Sequence, residues 1–344
     1  MTTTTTSRRP PETRSPRKGP GWLNSSRMSE QTFAYLLVLP VAILLIVVVA
    51  YPTAYSIYTS FYDINQAFGF RELVWFDNYQ EALTAPETWR SIRLTVQYTL
   101  WVTVLSVIIS VLGALLLNEA FKGKGLLVAL VILPWAVSTY AAAVVWRYMY
   151  SEQFGMFNTI LTGLGLDKRN LITERTVLPA IALAHTWQFA PLGIYFMLAT
   201  LQVIPRDLYK LAKTDRLNVF KRFRYVTIPY LKGPILIFLV LVTAEAARAF
   251  DIIYFISGGG PGTASHNLSF EIYKESFVNN NIGYGAAISW ILIVLITGVT
   301  LLYFLAITGR KRSQEILDMS ADEPTRWKGG ALVRLPDAVE PRKA

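Results

Sequence analysis

Three charged residues stand where an apolar chain should carry none. Glu245, Arg248 and Asp251 are spaced three apart inside residues 234–256, a run that is otherwise long and apolar. On a helix that spacing puts neighbours on one face, so Glu245 can pair with Arg248, and Arg248 with Asp251. A charge at bilayer depth costs on the order of 3 kcal/mol, so such groups turn toward a cavity or a partner. Two readings follow: a self-neutralising ladder that ties helices together, or a polar wall against a hydrophilic solute. A second apolar run, 177–203, carries His185, Trp187, Gln188 and Phe189 near its middle, then Pro191 and Gly193. Pro191 lacks an N–H, which predicts a kink and a freed carbonyl. A third run, 126–150, carries Pro134, Trp135, Ser138 and Thr139. Aromatic rings stack on the C–H face of a sugar ring while amides and charges bond its hydroxyls, so this set suits reversible binding of a polyol. Each group also has a plainer use, the histidine as an interhelical tie and the others in kinks and packing.

Bond-making chemistry finds less support. The chain has no cysteine, which removes disulfides, thiol catalysis and thiolate metal sites. Its two histidines, His185 and His266, are too few for a histidine-based metal centre. No pair of carboxylates comes with a nucleophile. Gly123-Lys124-Gly125 lacks the rest of a phosphate-binding loop, and the glycine-rich 257–262 segment lacks its Lys-Ser/Thr. The chain therefore reads as a non-enzyme with no ATPase site, no bound cofactor and no metal.

The elements that must position these residues are membrane spans. The 344 residues are 53% hydrophobic, and the apolar ones fall in blocks. Six blocks reach the roughly 20 residues a bilayer crossing needs: 32–61, 92–117, 126–150, 177–203, 234–256 and 283–308. The net charge of +10 gathers at block ends and in the tails, which argues against nucleic acid. Basic residues before the first block, at Lys122 and Lys124, between blocks four and five, and at Arg310-Lys311-Arg312 share one side if there are six crossings, which puts both termini in the cytoplasm. The first block is too long for a cleaved signal peptide. Residues 1–27 and 313–344 read as disordered tails flanking a six-span membrane domain at 28–312. Residues 62–89 read as a short interfacial helix, and 154–166 as a short helix and turn.

Between blocks four and five lies a basic, amphipathic segment, 204–230. Eight Lys or Arg between Pro205 and Lys232 face two Asp. Apolar residues still recur at helical spacing, at Leu208, Leu211 and Ala212 and then at Val219, Phe220, Phe223 and Val226. Pro205-Arg206-Asp207 starts one helix and Asn218 caps a second. Two helices on one membrane loop offer a docking knob to a soluble partner.

The stretch Leu201-Gln-Val-Ile-Pro-Arg-Asp-Leu-Tyr209, Asp215, and Phe220-Lys-Arg-Phe-Arg-Tyr-Val-Thr-Ile-Pro229 resembles the cytoplasmic coupling loop of bacterial ABC importer permeases, most closely those for carbohydrates such as the maltose permeases. The resemblance implies an all-α membrane protein with the six-span core of a type I importer permease, in the inner membrane of a bacterium. It implies a second homologous permease, two ATPase subunits that hold ATP and Mg, an extracytoplasmic sugar-binding protein, and surrounding lipid. It assigns ATPase coupling to Leu208, Tyr209, Lys210, Leu211, Ala212, Asp215, Arg216, Phe220 and Phe223. The family usually has Glu, Ala and Gly where this chain has Lys210, Leu211 and Arg216, so its acidic contact and glycine bend are expected to be missing. It assigns sugar contacts to Trp135, Thr139, His185, Trp187, Gln188, Phe189, Leu192, Glu245 and Ala249, to which the charged ladder adds Arg248 and Asp251. A disaccharide or oligosaccharide such as trehalose is the expected substrate. A glycerol-phosphate-type permease and an ion-coupled secondary transporter are the alternatives.

Overall fold

The computed structural model describes residues 30–65, 69–321, 325–328 and 331–334; the expected N-terminal tail, 1–27, lies outside the described residues. The chain divides at residue 56 into two units. The first is helical, with α1 (Glu30–Leu45), a π-helical turn at Ile46–Ala50, and the start of α2 (Tyr51–Ser60). Pro52 cannot donate an N–H, and the π turn ends two residues before it. Nearly every described side chain here is apolar and exposed, as suits a helix clothed by lipid.

The second unit opens with a hairpin of β1 (Tyr62–Asn65) and β2 (Phe70–Leu73), paired antiparallel with Tyr62 opposite Leu73. It then runs through α3 (Asp77–Thr84) into α4 (Pro86–Asn118). The expected interfacial helix is thus preceded by a ribbon, whose period-2 pattern spans too few residues to stand out in sequence. Cross-strand contacts hold it: the Arg71 guanidinium lies 5.1 Å from the Tyr62 ring centre and donates to the Tyr58 hydroxyl at 2.7 Å. Next come α5 (Lys124–Val131), α6 (Leu133–Ala136) and α7 (Thr139–Met149), bent by 96° between α6 and α7. The helix and turn expected near 154–166 is α8 (Met156–Gly163). α9 (Val177–Val203) continues through Pro191 without a break. α10 (Arg206–Thr214), α11 (Val219–Arg222) and a π turn at Phe223–Thr227 lead into α12 (Ile228–Ala247), then α13 (Asp251–Ser257), α14 (Leu268–Tyr273) and α15 (Ile282–Ala321). Among the described residues five helices are long and apolar enough to cross a membrane, or six if the bent pair counts as one span. The last helix overruns the expected span end, because Ser313–Met319 are tolerable helix formers on an already nucleated helix. Beyond it β3 (Thr325–Lys328) pairs with β4 (Ala331–Arg334).

The core is α4 against α9, closed by α12. Ser106 reaches the Thr186 hydroxyl (3.5 Å) and Ser110 donates to the Ala190 carbonyl (2.9 Å), both at a constant offset of 80 residues. Farther along, Gly113 abuts Ile194. Contacts that advance in the same direction on both chains mean that α4 and α9 run parallel. Small and hydroxyl side chains let these backbones approach closely and pair across the interface, as helices packing in lipid do. Gly193 sits at the tightest point. A Cβ there would fall 2.3 Å from Ser110 Oγ and 2.6 Å from the Phe238 ring, whereas nothing lies within 4 Å of one at Gly233.

A buried polar cluster ties α14 to α4. Leu268 N donates to Thr95 Oγ1 (2.9 Å), and Ser91 Oγ donates to Glu271 Oε2 (3.2 Å). His266 Nε2 lies 2.9 Å from the same oxygen, close enough for an ion pair but off the line of a good hydrogen bond. Burial raises the Glu271 pKa, but His266, Ser91 and Lys274 together outweigh that and hold it below the usual carboxylate range.

Gly193→Ala is expected to cost about 1–3 kcal/mol through overpacking and to lower the thermal midpoint in detergent, while Gly233→Ala, with open space around it, does not lower it. Because the folded Glu271 carboxyl is the stronger acid, its stabilisation is complete above the unfolded pKa and lost as pH falls through the folded one. Glu271→Gln should therefore flatten the acid side of the stability profile, measured as melting temperature against pH.

Candidate functional site

Two of the helices are broken at the same place. Between α6 and α7 the chain is extended at Val137 and Ser138, and the Ser138 hydroxyl accepts from Ala141 N to restart the helix. Between α12 and α13 it is irregular from Arg248 to Phe250. Breaks leave backbone carbonyls without helical donors, and in lipid each needs a substitute. Gln188 on α9 provides one, as its Nε2 donates to the Val137 carbonyl at 2.9 Å and to Thr139 Oγ1 at 3.2 Å. Asn267 provides the other, as its Nδ2 donates to the Ala249 carbonyl at 2.7 Å while its Oδ1 caps Phe270 N at 3.0 Å.

Between the breaks lies a cleft of about 270 Å³, lined by Thr139, His185, Glu245, Arg248, Ala249, Phe250, Asp251 and Ile252. Six of the residues expected at the site meet there. Glu245 and Arg248 pair as their spacing predicts, with both Nε (3.0 Å) and Nη2 of the guanidinium donating to Glu245 Oε2. The second rung does not form: Asp251 starts α13 and makes no ion pair among the described residues. The single helix expected over 234–256 stops at Ala247, so the three-residue periodicity that aligned Arg248 with Asp251 is lost at the break. Arg248 keeps most of its side chain exposed, with the ion pair at the wall of the cleft. His185 is buried and hydrogen-bonds the Tyr98 hydroxyl through Nδ1 at 2.8 Å.

The other expected site residues lie outside the cleft. Trp187 follows His185 by two positions, about 200° around the helix; it packs edge-on against Trp146 at 5.9 Å. Trp135 is exposed on α6, Phe189 packs edge-on against His185, and Leu192 is packed into the core. Gln188 is committed to the span-three break, and its Oε1 is left buried without a partner. Tyr98, Phe250, Ile252 and Asn267 did not stand out in the sequence. Tyr98 is one aromatic in a long apolar run, and Asn267 lies 18 residues beyond the carbonyl it holds.

The segment 204–230 is the expected pair of helices. Asn218 Oδ1 accepts from Lys221 N at 2.8 Å as the second cap. Leu208 and Tyr209 pack inward, with the Tyr209 hydroxyl 3.0 Å from Thr227 Oγ1, and Ala212 is buried. Leu211, Val219 and Phe220 are each more than 60% exposed, an apolar face left uncovered by the described residues. Phe223 is half-buried and Asp215 exposed. Lys210 is turned to its own helix, Nζ to Asp207 Oδ1 at 2.7 Å. The bend expected to be missing is present. Arg216 takes φ +55°, and Leu217 N bonds Ala212 O (3.0 Å) while Arg216 N bonds Lys213 O (3.0 Å). That is the pair of bonds that ends a helix on a left-handed residue, built with an arginine where glycine costs less.

A helical membrane core with a polar cleft at two broken helices and an outward two-helix knob is the architecture of a solute-conducting subunit. The chain belongs to the family of binding-protein-dependent transport system inner membrane components, whose family model matches residues 36–311. It is 36% identical over 275 residues to the trehalose/maltose transport system permease protein MalF of Thermococcus litoralis, covering 80% of this chain and 93% of that one. It is 29% identical to the trehalose transport system permease protein SugA of Mycobacterium tuberculosis, over 77% of this chain and 85% of that one. A chain of the bacterial alginate ABC transporter, solved with an alginate pentasaccharide-bound periplasmic protein, shares the fold with a TM-score of 0.69 at 19% identity, over 79% of this chain and 92% of that one.

A left-handed non-glycine residue carries a penalty of about 1–2 kcal/mol. Arg216→Gly is expected to recover part of it, seen as slower hydrogen exchange across α10 and α11.

Proposed function

We propose that this chain is one of two permease subunits of an ATP-driven importer and that its cleft passes a neutral disaccharide or oligosaccharide. The observation that carries the reading is the cleft itself. Two carboxylates, Glu245 and Asp251, face one guanidinium that is already paired. Such a wall offers hydrogen bonds to hydroxyls and repels a phosphate. This disfavours the glycerol-phosphate alternative, and the trehalose permeases among the relatives point the same way. Family membership argues against an ion-coupled secondary transporter.

The parallel course of α4 and α9 supports six crossings. The chain leaves α4 at one face of the membrane and enters α9 at the other, so it returns in between, and the bent α5–α7 segment is what returns. Six crossings put both termini on one side, and the basic loops make that side cytoplasmic. Leu211, Val219 and Phe220 then face the cytoplasm as the contact for an ATPase subunit. ATP and Mg are held by two such subunits and not by this chain. A second permease completes the path, and an extracytoplasmic binding protein delivers the sugar. Closure of the ATPases pushes α10 and α11, and the motion reaches the cleft through α12.

The test is trehalose uptake by proteoliposomes holding the whole importer. Glu245→Ala leaves Arg248 unpaired and is expected to lower uptake about tenfold or more with assembly intact. Unchanged uptake would remove the cleft from the transport path. Uptake that persists without ATP, or a complex that never copurifies with an ATPase, would overturn the importer reading.

A further inference from the structure

Away from the cleft, two surface grooves meet on α9. The first, about 720 Å³, lies between the start of α4 and the start of α9. Its α4 wall is Arg90, Leu94, Gln97, Trp101 and Val104, with Leu100 beside them. Spacings of 4, 3, 4 and 3 put these on one helical face, a stripe about 21 Å long that runs from a cation to wholly apolar residues. Arg175 faces Arg90 from the other wall. Neither arginine forms an ion pair among the described residues. The one acid at the rim, Glu174, leans toward the glycine-rich turn, its Oε1 within 3.7 Å of where a Cβ of Gly262 would be, so the rim remains net positive. The second groove, about 500 Å³, is almost wholly apolar, with Ile160, Leu161 and Leu183 along it. Pro179 lines both grooves, while the adjacent residues Arg175 and Thr176 line one each.

We infer that this is a binding site for an anionic diacyl phospholipid. Two cations at the rim match a phosphodiester. Gln97, about 10 Å below Arg90 along the helix, offers an amide at the depth of the ester groups. Two channels that diverge at Pro179 take the first parts of the two acyl chains, the one along α4 continuing about 10 Å past Gln97 to Trp101 and Val104. A zwitterionic lipid brings its own cation to the same rim and is disfavoured there. A lipid seated here bridges α4 and α9, the pair that carries the core.

The whole importer is reconstituted into vesicles of equal phosphatidylglycerol and phosphatidylcholine, re-extracted in mild detergent, and its retained lipid is counted by native mass spectrometry. Phosphatidylglycerol is expected to be retained about tenfold over phosphatidylcholine. Arg90→Ala with Arg175→Ala should abolish that preference, and Arg93→Ala, one position off the stripe, should not. The pair Arg90→Lys with Arg175→Lys preserves the charge and should keep most of the preference, which separates loss of binding from loss of folding. The inference is overturned if the double alanine variant keeps the preference, if both lipids are retained equally, or if millimolar inorganic phosphate displaces the lipid and so marks a free-phosphate site. It is also overturned if the grooves bind lipid only when the second permease is absent, because a protein then covers them. Lipid retention does not depend on transport, so this result stands apart from the test of the cleft.

Discussion

A carbonyl released from a helix inside a bilayer has no water to turn to, and that constraint organises this molecule. The cleft exists because α6–α7 and α12–α13 are both interrupted, and the interruptions survive because Gln188 and Asn267 replace the missing donors at Val137 and Ala249. Each replacement comes from another part of the fold. The polar site is therefore held open by tertiary contacts, and the charged pair at its wall is a consequence of the break as much as a cause of it.

The scaffold behind the cleft is stiff for a different reason. α4 and α9 run parallel in close approach through Ser106, Ser110, Gly113 and Gly193, with Phe238 of α12 wedged against the same point. Interfaces of small residues transmit displacement well because no flexible side chain lies between the backbones. The segment 204–230 joins this scaffold through α12 without a loop, since the π turn at Phe223–Thr227 runs straight into it. Leu208 and Tyr209 fasten α10 to the core while Leu211, Val219 and Phe220 face outward. The segment thus has one face against the membrane domain and one turned outward. The arginine at its bend and the internal pairing of Lys210 with Asp207 leave that two-faced form intact.

Much of this was legible in residue order. The apolar blocks marked the spans, the Asn218 cap and the amphipathic repeats marked the two helices, and the i,i+3 spacing marked the Glu245–Arg248 pair. The hairpin at 62–73 was not legible, because its alternation is short and its pairing depends on contacts with Tyr58. Nor was the sorting of the aromatic and amide cluster on α9, where four neighbouring residues point in different directions: His185 to the cleft, Trp187 to Trp146, Gln188 to the break and Phe189 onto His185.

What sequence alone determined is what depends on local chemistry: hydropathy over 20 residues, helix starts, the sign of each loop, and charge spacing within a turn. These act between neighbours and need no knowledge of the fold. Tertiary structure decided which polar residues share a cavity, that Asp251 leaves the ladder, and which carbonyls Gln188 and Asn267 hold. The bonds to those carbonyls join residues 18 and 51 positions apart, and only the packing of the helices brings such pairs within hydrogen-bonding distance.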